Sequence, residues 1–180
     1  TNLLGAGENV LGAILGEGWY RGRIGAVGGR RHGYGARLAL IAQLELHHPD
    51  GARTVIGTDE GWRSATGPIL QSGLYDGETY DAHREESGWC NAGFDDEHWQ
   101  AVDLLDHAKT ILQPGAGPWV RRTGELPPVT CTLRPGGARI FDFGQNMAGW
   151  TRLQATGSAG AIITIRHGEM LESDGSLHTA

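Results

Sequence analysis

Residues 72 to 85, "SGLYDGETYDAHRE", gather Asp76, Glu78, Asp81 and Glu85 with two tyrosines into fourteen positions. Carboxylates at such density suggest general acid/base chemistry, a hard metal ion, or a polar turn. Read as a strand, Asp76, Glu78 and Tyr80 share one face, and two steps separate the first two carboxylates by about 6.6 Å. That spacing falls in the window of about 6.5–9.5 Å used by glycosidases that invert configuration. Facing argues against it. Acid and base must approach a sugar from opposite sides, whereas residues i and i+2 of one strand project from the same wall.

Calcium is the second reading, since carboxylate oxygens are hard ligands. The spacing misses the EF-hand pattern, which wants a glycine at the sixth position and a glutamate at the twelfth. No metal site is assigned, and calcium stays a minor alternative. The third reading leads: the acids cap turns, pair with Arg84 or Arg63, and line a surface for a ligand or a neighbouring domain. Asp95 and Asp96 in "GFDDEHW" point to opposite sides of an extended chain, so one of them fixes a turn while Trp99 packs inward. The eight histidines form no HxH or HxxxH pair, and the glycines of "GEGWYRGRIG" do not follow GxGxxG. Neither zinc nor a nucleotide is supported.

Six tryptophans, Trp19, Trp62, Trp89, Trp99, Trp119 and Trp150, supply large apolar anchors. Trp19 lies in a loop, which makes it the one expected to reach a sugar or another domain.

These residues need elements to hold them. Thirty glycines among 180 residues, with 39% hydrophobic residues, fit a turn-rich all-β protein. The expected fold is a jelly-roll-like β-sandwich followed by part of a second β-sandwich. "NVLGAIL" (9–15) reads as a buried strand. Leu38, Leu40, Leu44 and Leu46 at period two, the turn "HPDG", and Val55 and Ile56 read as a hairpin. Further short strands are expected in "GWRSATGPIL" and "SGLYDGETYDAHRE", with one helix at "VDLLDHAK". The prolines of "PGAGPW" and "ELPPV" interrupt the pattern. The expected organisation is therefore a first sandwich over 1–113 that lacks its beginning, a linker over 114–128, and the start of a second sandwich over 129–180. In that last part "VTCTL", "ARIFDF", "GWTRLQAT" and "AIITIRHGEML" read as strands joined by the turns "RPGG" and "GSAG".

Fifteen basic residues against 21 acidic ones give a net charge of −6, which disfavours nucleic acid and anionic membrane as partners. No apolar run approaches the ~20 residues of a membrane helix. Cys90 and Cys131 fall in different parts and read as two free thiols, with a disulfide between them as the alternative. The abrupt ends suggest a segment of a longer chain, and no motif assigns a compartment.

"LLGAGENVLGAILGEGWYRGRIG", "YG" at 34–35, "LALIAQLELHHPDG", "TDEGWRSATGPILQSGLYDGETYDAHRE", "GW" at 88–89 and "FDDEHW" together resemble the N-terminal β-sandwich domain of bacterial α-L-rhamnosidases, glycoside hydrolase family 78. "PGGARIFDFGQNMAGWTRLQATGSAGAIITIRHGEMLESDGSLHT" resembles the start of the concanavalin-like domain that follows it. The resemblance implies a multidomain enzyme that removes terminal α-L-rhamnose from glycosides and polysaccharides with inversion. Its catalytic carboxylates would belong to a downstream helical-barrel domain, so none falls on these positions. Trp19, Asp76, Glu78 and Asp81 become candidates for sugar or interdomain contact. Two positions depart from the family pattern, Glu17 where Asp is common and Gly73 where Asp or Asn is usual. A free-standing carbohydrate-binding module without hydrolase activity is the competing reading.

Overall fold

Turn chemistry organises what the chain builds. A computed structural model describes residues 3–25, 28–115 and 117–179. The chain separates into two units, Thr1–Ile111 and Leu112–Ala180. The protein is all-β, and among the described residues its helical elements are one α-helical turn, α1 (Gly18–Arg21), and two 3₁₀ turns.

In the first unit β1 (Gln43–His47) and β2 (Arg53–Gly57) run antiparallel, Glu45 facing Val55. Leu44 and Leu46 are half-buried while Gln43, Glu45 and His47 are exposed, which is the period-two pattern expected of a one-sided strand. The turn forms where "HPDG" places it. Asp50 Oδ1 accepts from the Ala52 amide at 2.9 Å, and Gly51 takes the left-handed backbone at φ +86°, which side chains resist. The ladder begins at Gln43, so the stretch from 36 to 42 lies outside it.

β3 (Arg63–Ser64) pairs with β6 (Gln100–Ala101), closing a long loop, and β4 (Ile69–Gly73) pairs with β5 (Gly77–Tyr80) across the turn at 74–76. The second unit contains the hairpin β7 (Thr130–Leu133) and β8 (Arg139–Asp142). Arg134 and Ala138 close its turn, as "RPGG" predicts.

Three expectations fail on hydrogen bonding. "NVLGAIL", "GWTRLQAT" and "AIITIRHGEML" carry apolar residues but make no ladder of two or more pairs among the described residues; Leu171 forms only an isolated bridge with Leu177. Apolar sequence creates the tendency to extend, but a strand exists only where a second chain segment satisfies its backbone. "VDLLDHAK" is likewise no α-helix; a single 3₁₀ turn follows at Lys109–Ile111. Among the described residues the strands pair two by two, and no hydrophobic side chain is fully buried. Trp62, Trp89 and Trp99 are half-buried anchors. Trp119 and Trp150 are more exposed than Trp19.

Candidate functional site

Glycine-rich sequence after Leu15 turns the chain sharply enough to bring three arginine- and acid-bearing stretches together. Glu17 precedes α1, and the Arg21 amide donates to the Glu17 carbonyl at 3.1 Å. Gly22 follows at the helix end, where a Cβ would stand 2.4 Å from the Gly18 carbonyl oxygen. Only glycine fits that close approach. The turn presents Trp19 outward, 58% exposed.

Beside α1, Asp76 sits in the turn between β4 and β5 and accepts two guanidinium donors. Arg23 Nε lies 2.8 Å from its Oδ1 and Arg31 Nη2 lies 2.5 Å from its Oδ2. Arg31 also reaches Glu17 Oε2 at 3.2 Å, and Arg21 Nε lies 3.4 Å from Glu17 Oε1. Arg23 further stacks over Tyr75, 5.4 Å from the ring centroid. Two acids and three arginines thus form one chain of ion pairs. The Arg23 hydrogen bond, followed by the charges of Arg23 and Arg31, holds the Asp76 carboxyl below the usual aspartate range.

That arrangement revises the sequence reading of the acids. Asp76 belongs to a turn, not to β5, so its side chain does not share a strand face with Glu78. Glu78 pairs opposite Ser72 and shares its face with Tyr80. Tyr80 donates to Glu85 Oε1 at 2.5 Å, which pushes the phenol above its ordinary range. Asp81 starts the 3₁₀ turn Ala82–Arg84, accepting from the His83 amide at 3.1 Å and pairing with Arg84 at 3.4 Å. The expected Arg84 partnership forms, whereas Arg63 turns to Asp96 at 3.8 Å. No local sequence signal connects Arg23 and Arg31 to Asp76. They lie 53 and 45 residues from Asp76, and only their occurrence in the loop with Trp19 hinted at them.

A second cluster lies at 86–99. Trp89 and Trp99 stack at 6.3 Å, and Phe94 meets Trp99 edge-on at 5.7 Å. Glu86 Oε2 accepts from Trp99 Nε1 and from His98 Nε2, each at 3.0 Å. The Trp99 bond and then the His98 bond keep the Glu86 carboxyl below its usual range. Asp95 accepts from the Glu97 amide at 3.1 Å, the turn role expected for one of the paired aspartates. Glu86 escaped the sequence reading because its partners lie 12 and 13 residues on. Across the first unit Gly12 lies against Trp89, where a Cβ would stand 2.5 Å from the ring. Cys90 and Cys131 are free and exposed. No three His, Cys, Asp or Glu side chains gather as a metal cage among the described residues, and no described helix is long and apolar enough to cross a membrane.

Residues 1–124 match the family profile described as the alpha-L-rhamnosidase N-terminal domain. Residues 132–180 match that of the bacterial alpha-L-rhamnosidase concanavalin-like domain. An alpha-L-rhamnosidase of Streptomyces avermitilis is 42% identical over all of this chain and 17% of its own length. One from Formosa agariphila is 36% identical over 99% of the chain and 19% of its length. Among solved structures, the Streptomyces avermitilis alpha-L-rhamnosidase complexed with L-rhamnose superposes with a TM-score of 0.73 at 39% identity, covering 90% of this chain and 16% of that one. The native enzyme from Aspergillus terreus gives 0.68 at 41% identity, over 74% and 15%. The chain therefore spans less than a fifth of the length of these relatives.

Proposed function

Because the chain belongs to the α-L-rhamnosidase family through its N-terminal domain, we propose that it is the non-catalytic front of an inverting α-L-rhamnosidase. The parent enzyme would hydrolyse terminal α-L-rhamnosyl residues from glycosides. The observation that carries this reading is the match of the whole chain to under a fifth of the enzymes it resembles. The chemistry of Asp76 supports it. A general acid must hold a proton near neutral pH and a general base must offer a free oxygen. Asp76 does neither, being kept ionised with both oxygens taken by Arg23 and Arg31.

In this reading residues 1–113 form the accessory sandwich, 114–128 the linker and 129–180 the opening of the concanavalin-like sandwich. A helical-barrel domain further along the parent chain supplies acid and base. The exposed apolar side chains of the described residues suit a segment that packs against more protein. Trp19, Glu78 and Asp81 are the side chains proposed to meet sugar or a neighbouring domain, and Asp76 fastens the loop that carries Trp19 through Arg23 and Arg31. The test is release of p-nitrophenol from p-nitrophenyl α-L-rhamnoside. The parent polypeptide should release it and the present chain should not; turnover by the present chain would overturn the assignment.

The exposure of Trp19 at 58% and Tyr75 at 47% favours one second reading, a carbohydrate-binding module without hydrolase activity. Titration calorimetry with L-rhamnose, with and without calcium, separates the two. Saturable heat together with an inactive parent chain would favour the module.

A further inference from the structure

We infer that the concave face formed by Glu86, Asn91, Phe94 and His98 is a binding subsite for a neutral pyranoside, separate from the Trp19 loop. The face is a shallow depression of about 590 Å³, open to solvent rather than an enclosed cleft. A pyranose has an apolar C–H face and a rim of hydroxyls, so its site needs a fixed aromatic ring beside donors and acceptors left free by the fold. Phe94 supplies the ring, half-buried and held by an edge-on contact with Trp99 at 5.7 Å and a tilted contact with the His98 ring at 6.2 Å. Trp99 is in turn stacked on Trp89, so the floor is set by packing rather than by the ligand.

The polar groups divide cleanly. Glu86 Oε2 is committed to His98 and Trp99, while its Oε1 makes no hydrogen bond among the described residues. The Asn91 side-chain amide is likewise uncommitted among the described residues, its backbone alone serving the turn through the Gly88 carbonyl and the Phe94 amide. One carboxylate oxygen and one amide, beside an aromatic face, offer a hydroxyl both an acceptor and donors. Charge selects the class. Glu86 is held ionised and Asp95 stands on the same rim, which repels an anionic sugar. Each of the two carboxylates is already engaged by N–H donors, which leaves too few oxygens for a calcium ion.

The choice of probe rests on the rhamnosidase reading above; the site itself rests on its own geometry. The experiment is titration of the ¹⁵N-labelled intact chain with methyl α-L-rhamnopyranoside, following the Asn91 amide and the Trp99 indole N–H by NMR. Saturable shifts of both signals at millimolar sugar are expected. Asn91→Ala removes only an exposed side chain, so it should keep the spectrum's dispersion and weaken binding about tenfold, the effect of one lost hydrogen bond. Phe94→Leu provides a second variant and should weaken binding while Trp19 signals stay unmoved. Absence of shifts at Asn91 and Trp99, or affinity unchanged in Asn91→Ala, overturns the subsite. Those results would leave the p-nitrophenol assay standing, so failure here is distinct from failure of the proposed function.

Discussion

The Trp19 loop and the 86–99 loop belong to the same unit, yet different forces hold them. The first is fastened by ion pairs, Asp76 between Arg23 and Arg31 and Glu17 between Arg21 and Arg31. The second is fastened by three aromatic rings and by one carboxylate, Glu86, which accepts from both Trp99 and His98. Charge pairs depend on pH and salt, whereas ring packing depends on volume and hardly on either. The two loops should therefore fail under different perturbations, and that separation is measurable.

The largest effect is expected from Trp99→Ala, which removes both ring contacts and the indole donor to Glu86. A half-buried ring should cost about 2–3 kcal/mol, read as a lower denaturant midpoint, with the Trp19 emission little changed. Gly12→Ala comes next. Its Cβ would stand 2.5 Å from the Trp89 ring, and forcing that ring aside costs about 1–2 kcal/mol. The aromatic circular dichroism of the 86–99 loop should change while the ion pairs remain.

Acid and salt should act on the other loop. The Asp76 carboxyl is lowered from 3.8, so its contribution is complete above that value and is lost as pH falls through the lowered folded-state value. Trp19 emission should accordingly stay constant from neutral pH down to about 4 and change below it. Asp76→Asn should abolish that acid transition and free the Trp19 loop at neutral pH, detected as lower fluorescence anisotropy. Retention of the transition in Asp76→Asn would refute this fastening role of Asp76. Raising salt to 1 M, where screening acts within about 3 Å, should loosen the Trp19 loop partially and leave the ring cluster unaffected. The smallest effect is expected at the Arg37–Asp103 pair, whose side chains are 65% and 77% exposed. Arg37→Ala should change stability by about 0.5 kcal/mol or less in chemical denaturation.

The hairpins were legible because their signals are local. "HPDG" and "RPGG" place the turn and set the register without help from distant residues, and Leu44 and Leu46 mark the inner face at period two. "NVLGAIL" and "AIITIRHGEML" have the same apolar character, yet their lack of a ladder depends on where partner segments run, which periodicity does not encode. The candidate site divides in the same way. Asp81 as a turn cap follows from its neighbours two residues on. Asp76 was misplaced on a strand face because a turn and a strand accept the same short acidic sequence.

The amino-acid sequence alone determined the all-β class, the turn positions and the motifs that carry the family relationship, because each depends on residue type and short spacing. Only the tertiary structure decided which charges meet. It brought Arg23 and Arg31 onto Asp76 across 53 and 45 residues, and His98 and Trp99 onto Glu86. A carboxylate's chemistry follows from the donors within about 3 Å of it, and those donors are chosen by the path of the chain through space.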